Sequence, residues 1–397
     1  MDNSSNYEKE LKTENMPKNR KGRLIFSGLI SVFCFIIFAG SISLITGEDK
    51  AFSESENRVL ATMPSLSLHT LKDGSFMKNF ETYLTDQFAF RDGIIRLKTL
   101  ADRAVGKTRV GDVYIGKDGY LFSVPSDFNR SRAEEMTSLL SGFAEANGES
   151  RITFMISPNS SYVYKEKLPD NLVTDDQNYI IKDIENYTQS QKVDYLNLSE
   201  IFLAVKDEIQ LFYRTDHHWT TTAAELAFRE LMTRWEKSLD EVSFKSYTVS
   251  DGFQGTLSSK SGVASAEDVI EICVPENSEL TYVADYENGE KKTASLFDSS
   301  KLEQKNKYEV FAGGNYGKIV IDTTSSSKDT LLIIKDSYAN CMLPMFTPLF
   351  SKIIVVDPRY TAEKISAITE ENTFSHILFL YNLDTLLEDT SLTEALK

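Results

Sequence analysis

Four histidines occur in 397 residues, and two of them, His217 and His218, are adjacent in LFYRTDHHWTTTAAEL (211–226), directly behind Asp216. In an extended chain residues i and i+2 share a side. Asp216 is therefore expected to accept a hydrogen bond from the His218 imidazole and fix its tautomer, with His217 on the opposite side. The TTTAAELAFRELMTRW that follows reads as a helix opened by a capping box of Thr222 and Glu225. A helix N-terminus disfavours nearby positive charge, which suits an imidazole that must start neutral to act as a general base. Such a pair needs a nucleophile, and LLIIKDSYANCMLPMF (331–346) offers Ser337. This serine ends an apolar strand and begins a helix that Pro344 keeps short or kinked. Open α/β sheets bind ligands at that edge, and helical N–H groups there can stabilise an oxyanion. Asp216, His218 and Ser337 together point to nucleophilic acyl chemistry. The alternative is a metal held by Asp216, His217 and His218. A metal site usually wants further protein ligands, and no HxxxH or cysteine cluster supplies them. The reading therefore calls for no metal and no cofactor.

The elements that must position these groups follow from the hydropathy pattern. Five short runs are rich in β-branched and aromatic residues: 151–157, 192–198, 329–336, 352–357 and 376–382. Helix-like segments over 131–146, 175–190, 220–239 and 361–369 separate several of them. Near-continuous apolar strands alternating with helices indicate a parallel sheet covered on both faces. VYIGKDGYLF (113–122) predicts a hairpin turning at Asp118-Gly119. Residues 240–320, rich in Ser, Gly, Lys and Glu with scattered β runs, predict a β-rich insertion. Upstream, Phe76, Met77, Phe80, Tyr83, Leu84 and Phe88 share one helical face, and Ile94, Ile95, Leu97 and Leu100 continue a helical pair.

Lys18, Arg20, Lys21 and Arg23 precede an uncharged stretch over 24–47, long enough to cross a bilayer. Its length favours a retained anchor over a cleaved signal peptide, and the basic flank stays in the cytoplasm. The expected order is a cytoplasmic tail (1–23), a transmembrane anchor (24–47), a linker and helical region (48–110) and an extracellular catalytic domain (111–397). The net charge of −16 argues against nucleic acid as partner. A polyanionic polymer would also be repelled unless a local basic patch offsets the field. Three cysteines, Cys34, Cys273 and Cys341, make no disulfide framework; one bridge between Cys273 and Cys341 is open, with two unpaired core thiols favoured.

TDHHWT (215–220) resembles the signature of the bacterial DHHW family, itself similar to the alginate O-acetylation proteins of the SGNH-hydrolase superfamily. SENRVLATMPSLS, FETYLTDQFAFRDGIIRLK, GKDGYLF, IKDSYAN and VVDPRY extend the resemblance over roughly residues 50–385. It implies a three-layer α/β fold with a five-stranded parallel sheet and a circularly permuted motif order, the serine coming late. It also implies Ser337 as nucleophile, His218 as base, Asp216 as its orienter and Asn382 as oxyanion donor. The family's glycine before Asp-Ser is Lys335 here, and the glycine beside Asn382 is Tyr381, so Asn340, or Gly314 or Asn315 of a stretch (312–317) that reads first as a plain turn, could serve the oxyanion instead, with His217 a further oxyanion or substrate candidate. Arg359 could bind an anionic substrate group, although a structural ion pair fits it better. The resemblance implies an O-acetyl transferase or esterase acting on a cell-envelope polysaccharide beside a membrane-bound O-acyltransferase. A non-catalytic polysaccharide-binding scaffold that keeps the fold is the rival reading.

Overall fold

The computed structural model describes residues 20–47, 49–50, 52–53, 58–88, 91–123, 127–170, 172, 175–188, 190–276 and 279–397. The expected tail, with Lys18, falls almost entirely outside these residues. The described residues divide into two compact units, one running to Lys98 and the other from Thr99 to Lys397.

In the first unit, helix α1 spans Arg20–Thr46. Its stretch Gly22–Leu44 has a mean hydropathy of 2.4 and is long and apolar enough to cross a membrane. Helix α2 (Ser75–Gln87) follows, and α3 (Arg91–Ala104) begins in this unit and ends in the second. Along α2 the rings of Phe76, Phe80 and Tyr83 stack in series, as their 3–4 residue spacing dictates. Met77, expected on the same face, is 63% exposed.

The second unit is built on an eight-stranded sheet. In chain order its strands are β1 (Arg151–Ser157), β2 (Val193–Asn197), β3 (Tyr282–Tyr286), β4 (Lys291–Thr293), β5 (Lys318–Thr323), β6 (Thr330–Lys335), β7 (Lys352–Val356) and β8 (His376–Asn382). Across the sheet the order is β4-β3-β5-β7-β6-β8-β1-β2. The five runs that the hydropathy pattern marks form the parallel part, β7 through β2. The region expected as a separate β-rich insertion does more than that. It adds β3 and β4 to this same sheet, where β5 joins them antiparallel to the β7 edge. The insertion also contributes a separate hairpin of strands Phe244–Phe253 and Asp268–Pro275.

The apolar runs are continuous because both faces of the sheet are covered. Along β6, Leu331 and Ile333 enter one core and Leu332 and Ile334 the other. Helices α4 (Arg130–Ala146) and α5 (Gln177–Tyr187) cover the second face, and α6 (Thr221–Arg234) covers the first. Each wholly buried aliphatic side chain contributes on the order of 1.5–3 kcal/mol. The cap of helix α6 lies two residues earlier than expected. Thr220, not Thr222, is the N-cap, its hydroxyl accepting from the Ala223 N–H at 3.2 Å. The hairpin at 113–123 turns at Asp118 (φ 56°) and Gly119 (φ 80°), the left-handed pair that a two-residue turn requires. Cys273 and Cys341 are buried and unbridged.

Ile333 is wholly buried in the central strand β6. Ile333→Ala is expected to cost about 2–5 kcal/mol of unfolding free energy, read as a lowered urea midpoint.

Candidate functional site

The DHHW segment is a tight loop rather than an extended strand. Phe212 and Trp219 bridge antiparallel, and the Tyr213 N–H donates to the His218 carbonyl at 3.2 Å. Asp268, from the insertion, holds the loop from below. Its carboxylate accepts from the Arg214 and Thr215 N–H groups at 3.1 and 3.0 Å and from the Thr215 hydroxyl at 2.9 Å. The turn changes the expected disposition of His217. Its ring lies 3.9 Å from that of His218, on the same side, instead of facing away.

Asp216 is fully buried and its carboxylate meets four donors. Oδ1 accepts from the His218 backbone N–H (2.9 Å) and from the His218 Nδ1 (2.6 Å). Oδ2 accepts from the Thr256 N–H (2.7 Å) and hydroxyl (3.0 Å). Gly255 makes this approach possible, because a Cβ there would stand 2.3 Å from the Asp216 side chain. Burial raises the carboxyl pKa, but the two imidazoles and these hydrogen bonds outweigh it and hold Asp216 well below the usual carboxylate range. With a carboxylate at Nδ1, the proton sits on that nitrogen and Nε2 keeps its lone pair. Nε2 faces the Ser337 Oγ at 2.8 Å. Hydroxyl, imidazole and carboxylate thus stand in series, the arrangement that lets a serine be deprotonated as it attacks.

Ser337 opens a short 3₁₀ turn, Ser337–Cys341, directly beyond β6. Two bonds clamp this turn to the DHHW loop. The Trp219 indole N–H donates to the Tyr338 carbonyl at 2.9 Å, and the Tyr338 hydroxyl donates to the His217 carbonyl. Tyr308, from the insertion, stacks flat on the His218 ring at 3.8 Å and 9°. Thr256, Gly255, Asp268 and Tyr308 escape sequence reasoning, because nothing local to 250–310 marks them as neighbours of residue 216.

The other expected residues divide. Asn382 ends β8, lines a cleft of about 1020 Å³, and uses its side-chain oxygen to cap Asp384 (3.1 Å) and its Nδ2 to reach the Ser157 carbonyl (3.4 Å). Asn315 and Asn340 are bonded to each other at 3.0 Å. The Asn340 Nδ2 also reaches the Gly314 carbonyl, so this pair ties the loop at 312–317 to the nucleophile segment. Arg359 forms a two-pronged ion pair with Asp357 at 2.8 and 2.7 Å, and Lys335 joins the same carboxylate at 3.0 Å. Arg359 is thus ion-paired inside the protein, sharing one carboxylate with Lys335, and its side chain also lines the cleft. Burial lowers the Lys335 pKa against the pull of Asp357.

His217 and Tyr338 line the cleft, although Ser337 and His218 themselves do not. The side chain of His217 is 40% exposed and its Nδ1 meets the Thr256 hydroxyl at 2.7 Å. Its burial among protein atoms, and then the adjacent His218, lower its pKa despite Asp216. Asn159, not expected from sequence, is buried on the cleft wall with a side-chain nitrogen lacking a hydrogen-bond partner. Ligand atoms of Asp216, His217 and His218 lie within 4.8 Å of one another, the metal alternative. The Thr256 and Ser337 bonds already engage the Asp216 Oδ2, the His217 Nδ1 and the His218 Nε2.

A carboxyl group held low in the folded state adds stability above its unfolded value, near 3.8, and loses it as pH falls toward the folded value. The stability gap between the parent protein and Asp216→Asn is therefore expected to narrow as pH drops below about 4, measured by urea unfolding at a series of pH values.

Residues 113–304 match the family described as SGNH hydrolase-like domain, acetyltransferase AlgX. The matched span includes Asp216 and His218 and stops short of Ser337. No curated protein is significantly similar to the chain. Among solved structures, a DHHW family protein from Eubacterium siraeum is 21% identical with a TM-score of 0.59, covering 71% of this chain and 93% of that one. Bacillus cereus PatB1 is 17% identical with a TM-score of 0.56, covering 69% and 97%. The same protein with a sulfonyl adduct gives 17%, 0.57, 70% and 98%. At these identities the likeness is one of fold. Residues 113–304 are thus similar to the SGNH hydrolase-like domain of the AlgX acetyltransferases, and the α/β fold of the chain is like those of the DHHW family protein and PatB1.

Proposed function

We propose that the protein is an extracytoplasmic, serine-dependent O-acyl transferase or esterase whose acyl group is acetyl and whose acceptor is a cell-envelope polysaccharide. The observation that carries this reading is the series Ser337 Oγ to His218 Nε2 at 2.8 Å and His218 Nδ1 to Asp216 Oδ1 at 2.6 Å.

In this mechanism Oγ attacks the carbonyl carbon of an acyl donor while its proton passes to His218 Nε2. The imidazolium gives that proton to the leaving group, and an acyl-Ser337 ester remains. A polysaccharide hydroxyl, deprotonated by His218, then attacks the ester and carries the acyl group away, and the imidazolium returns the proton to the departing Ser337 Oγ; water in place of the hydroxyl completes hydrolysis. Asp216 stays ionised throughout and steadies the imidazolium. The Asn382 amide is the side chain proposed to face the developing oxyanion, since it ends the strand next to β6 on the cleft wall. The apolar stretch Gly22–Leu44 would anchor the chain, with its basic flank in the cytoplasm and the acyl-transfer unit outside. A membrane-bound O-acyltransferase is the proposed source of the acyl group.

One observation favours the rival scaffold reading: Lys335 stands where the resemblance implies glycine, and its ammonium is buried two residues before Ser337. Turnover of an acetyl ester separates the two. Ser337→Ala is expected to lower kcat at least about 10³-fold, and a sulfonyl fluoride is expected to add one label at Ser337, read by mass spectrometry. Turnover unaffected by the substitution defeats the serine mechanism. Loss of the Asn382 amide in Asn382→Ala is expected to lower kcat about 10²–10³-fold with little change in KM.

A further inference from the structure

Helix α3, Arg91–Ala104, has two unlike sides. Ile95, Thr99 and Asp102 are buried or half-buried, and the Thr99 hydroxyl donates to the Ser261 carbonyl at 3.3 Å. Away from them stands an apolar stripe. Ile94 is 42% exposed, Leu97 68% and Leu100 61%, and Val105 just past the helix is 76% exposed. At 3.6 residues per turn these four, with the exposed Ala101 and Ala104, fall within an arc of roughly 140°. Exposed cations border both edges of the arc: Lys98 on one, Arg96 and Arg103 on the other.

The charge of this segment is also unlike the rest. Residues 91–109 hold six basic and two acidic side chains, a net +4 in a chain of −16, leaving −20 elsewhere. Partial internal pairing occurs, Lys107 with Asp102 at 2.6 Å and Arg109 with Asp112 at 3.6 Å. The Lys107 and Arg109 head groups are exposed, so water screens these two contacts in part, while Arg91 pairs with Asp86 at 3.9 Å largely out of water.

We infer that α3 is an interfacial helix that lies on an anionic bilayer, its Ile94–Leu97–Leu100 stripe among the acyl chains and its flanking cations at the headgroups. An apolar arc edged by lysine and arginine is the form such helices take, because the long basic side chains extend outward to the headgroups while their stems stay apolar. Charge selects the occupant. An anionic surface repels the acidic remainder of the chain beyond residue 47 and attracts this segment of +4. A soluble polyanion would satisfy the cations but leave the apolar stripe in water. The same chain carries an apolar helix long enough to cross a membrane, which brings a bilayer within reach. This inference does not depend on the acyl-transfer reading.

The test uses the full chain in vesicles. In a Cys34→Ser background, where Cys273 and Cys341 are buried and unlabelled, Leu97→Cys carries an environment-sensitive fluorophore. Vesicles of phosphatidylcholine, with and without phosphatidylglycerol, contain a lipid-borne quencher. Emission at position 97 is expected to shift to the blue and be quenched, more strongly as phosphatidylglycerol rises. The same probe at Tyr179→Cys, 64% exposed in the wild-type chain, is expected to stay unquenched. Arg96→Glu with Arg103→Glu is expected to remove the dependence on phosphatidylglycerol. No quenching at position 97 overturns the inference, as does quenching indifferent to the anionic lipid. A blue shift that persists in detergent, with cross-linking between copies at position 97, also overturns it and makes a second copy of the chain the occupant.

Discussion

The arrangement rests on a carboxylate buried without any exposure. Taking such a charge out of water costs several kcal/mol unless donors replace the water. Asp216 receives four, and they come from two places: its own loop, through His218, and the insertion, through Thr256. The DHHW loop is consequently useless alone. It needs Gly255 to leave room for the approach and Asp268 to receive the N–H groups of the turn. The insertion that interrupts the α/β pattern is in this sense the second half of the loop.

A second group of buried charges stands behind the nucleophile. Asp357, at the end of β7, is shared by Lys335 and Arg359. Burial acts to raise its pKa, and the two cations prevail and lower it. Lys335 also touches the Asn315 side-chain oxygen at 3.5 Å, and Asn315 accepts from Asn340. The chain of contacts runs from one strand end, through the insertion loop, to the turn that bears Ser337. A glycine in place of Lys335 would lack the two contacts, to Asp357 and to Asn315, that join these groups. The departure from the family pattern is therefore accommodated by a partnered ammonium, leaving the Ser337–His218 contact intact. Partners for buried ions are a condition of burying them at all.

Much of this architecture was legible in the sequence. The five parallel strands announce themselves because both faces of each are covered, so their apolar runs are unbroken. The turn at Asp118-Gly119 is legible because few residues tolerate two left-handed positions in succession. Asp216 and His218 could be paired from their spacing, and Ser337 from its place at a strand end. His217 was misplaced, since the alternation of an extended chain does not hold in a bridged turn. The cap of α6 slipped by two residues within a run of three threonines, each able to cap.

What the sequence determined by itself is whatever depends on residues within a turn or two of one another: element type, the apolar membrane-length helix, the Asp–x–His spacing. Such features follow from backbone geometry and from which side chains water rejects, and both are local. The tertiary structure alone decided that Thr256 would solvate Asp216, that Tyr308 would cover the imidazole, that strands of the insertion would extend the main sheet, and that Asn340 would bond to Asn315. Those pairings join groups from 25 to 90 residues apart in sequence, and His218 and Ser337 are 119 apart. Each forms only when the whole chain has closed around a common core, because a single contact at that separation cannot offset the chain entropy its closure removes.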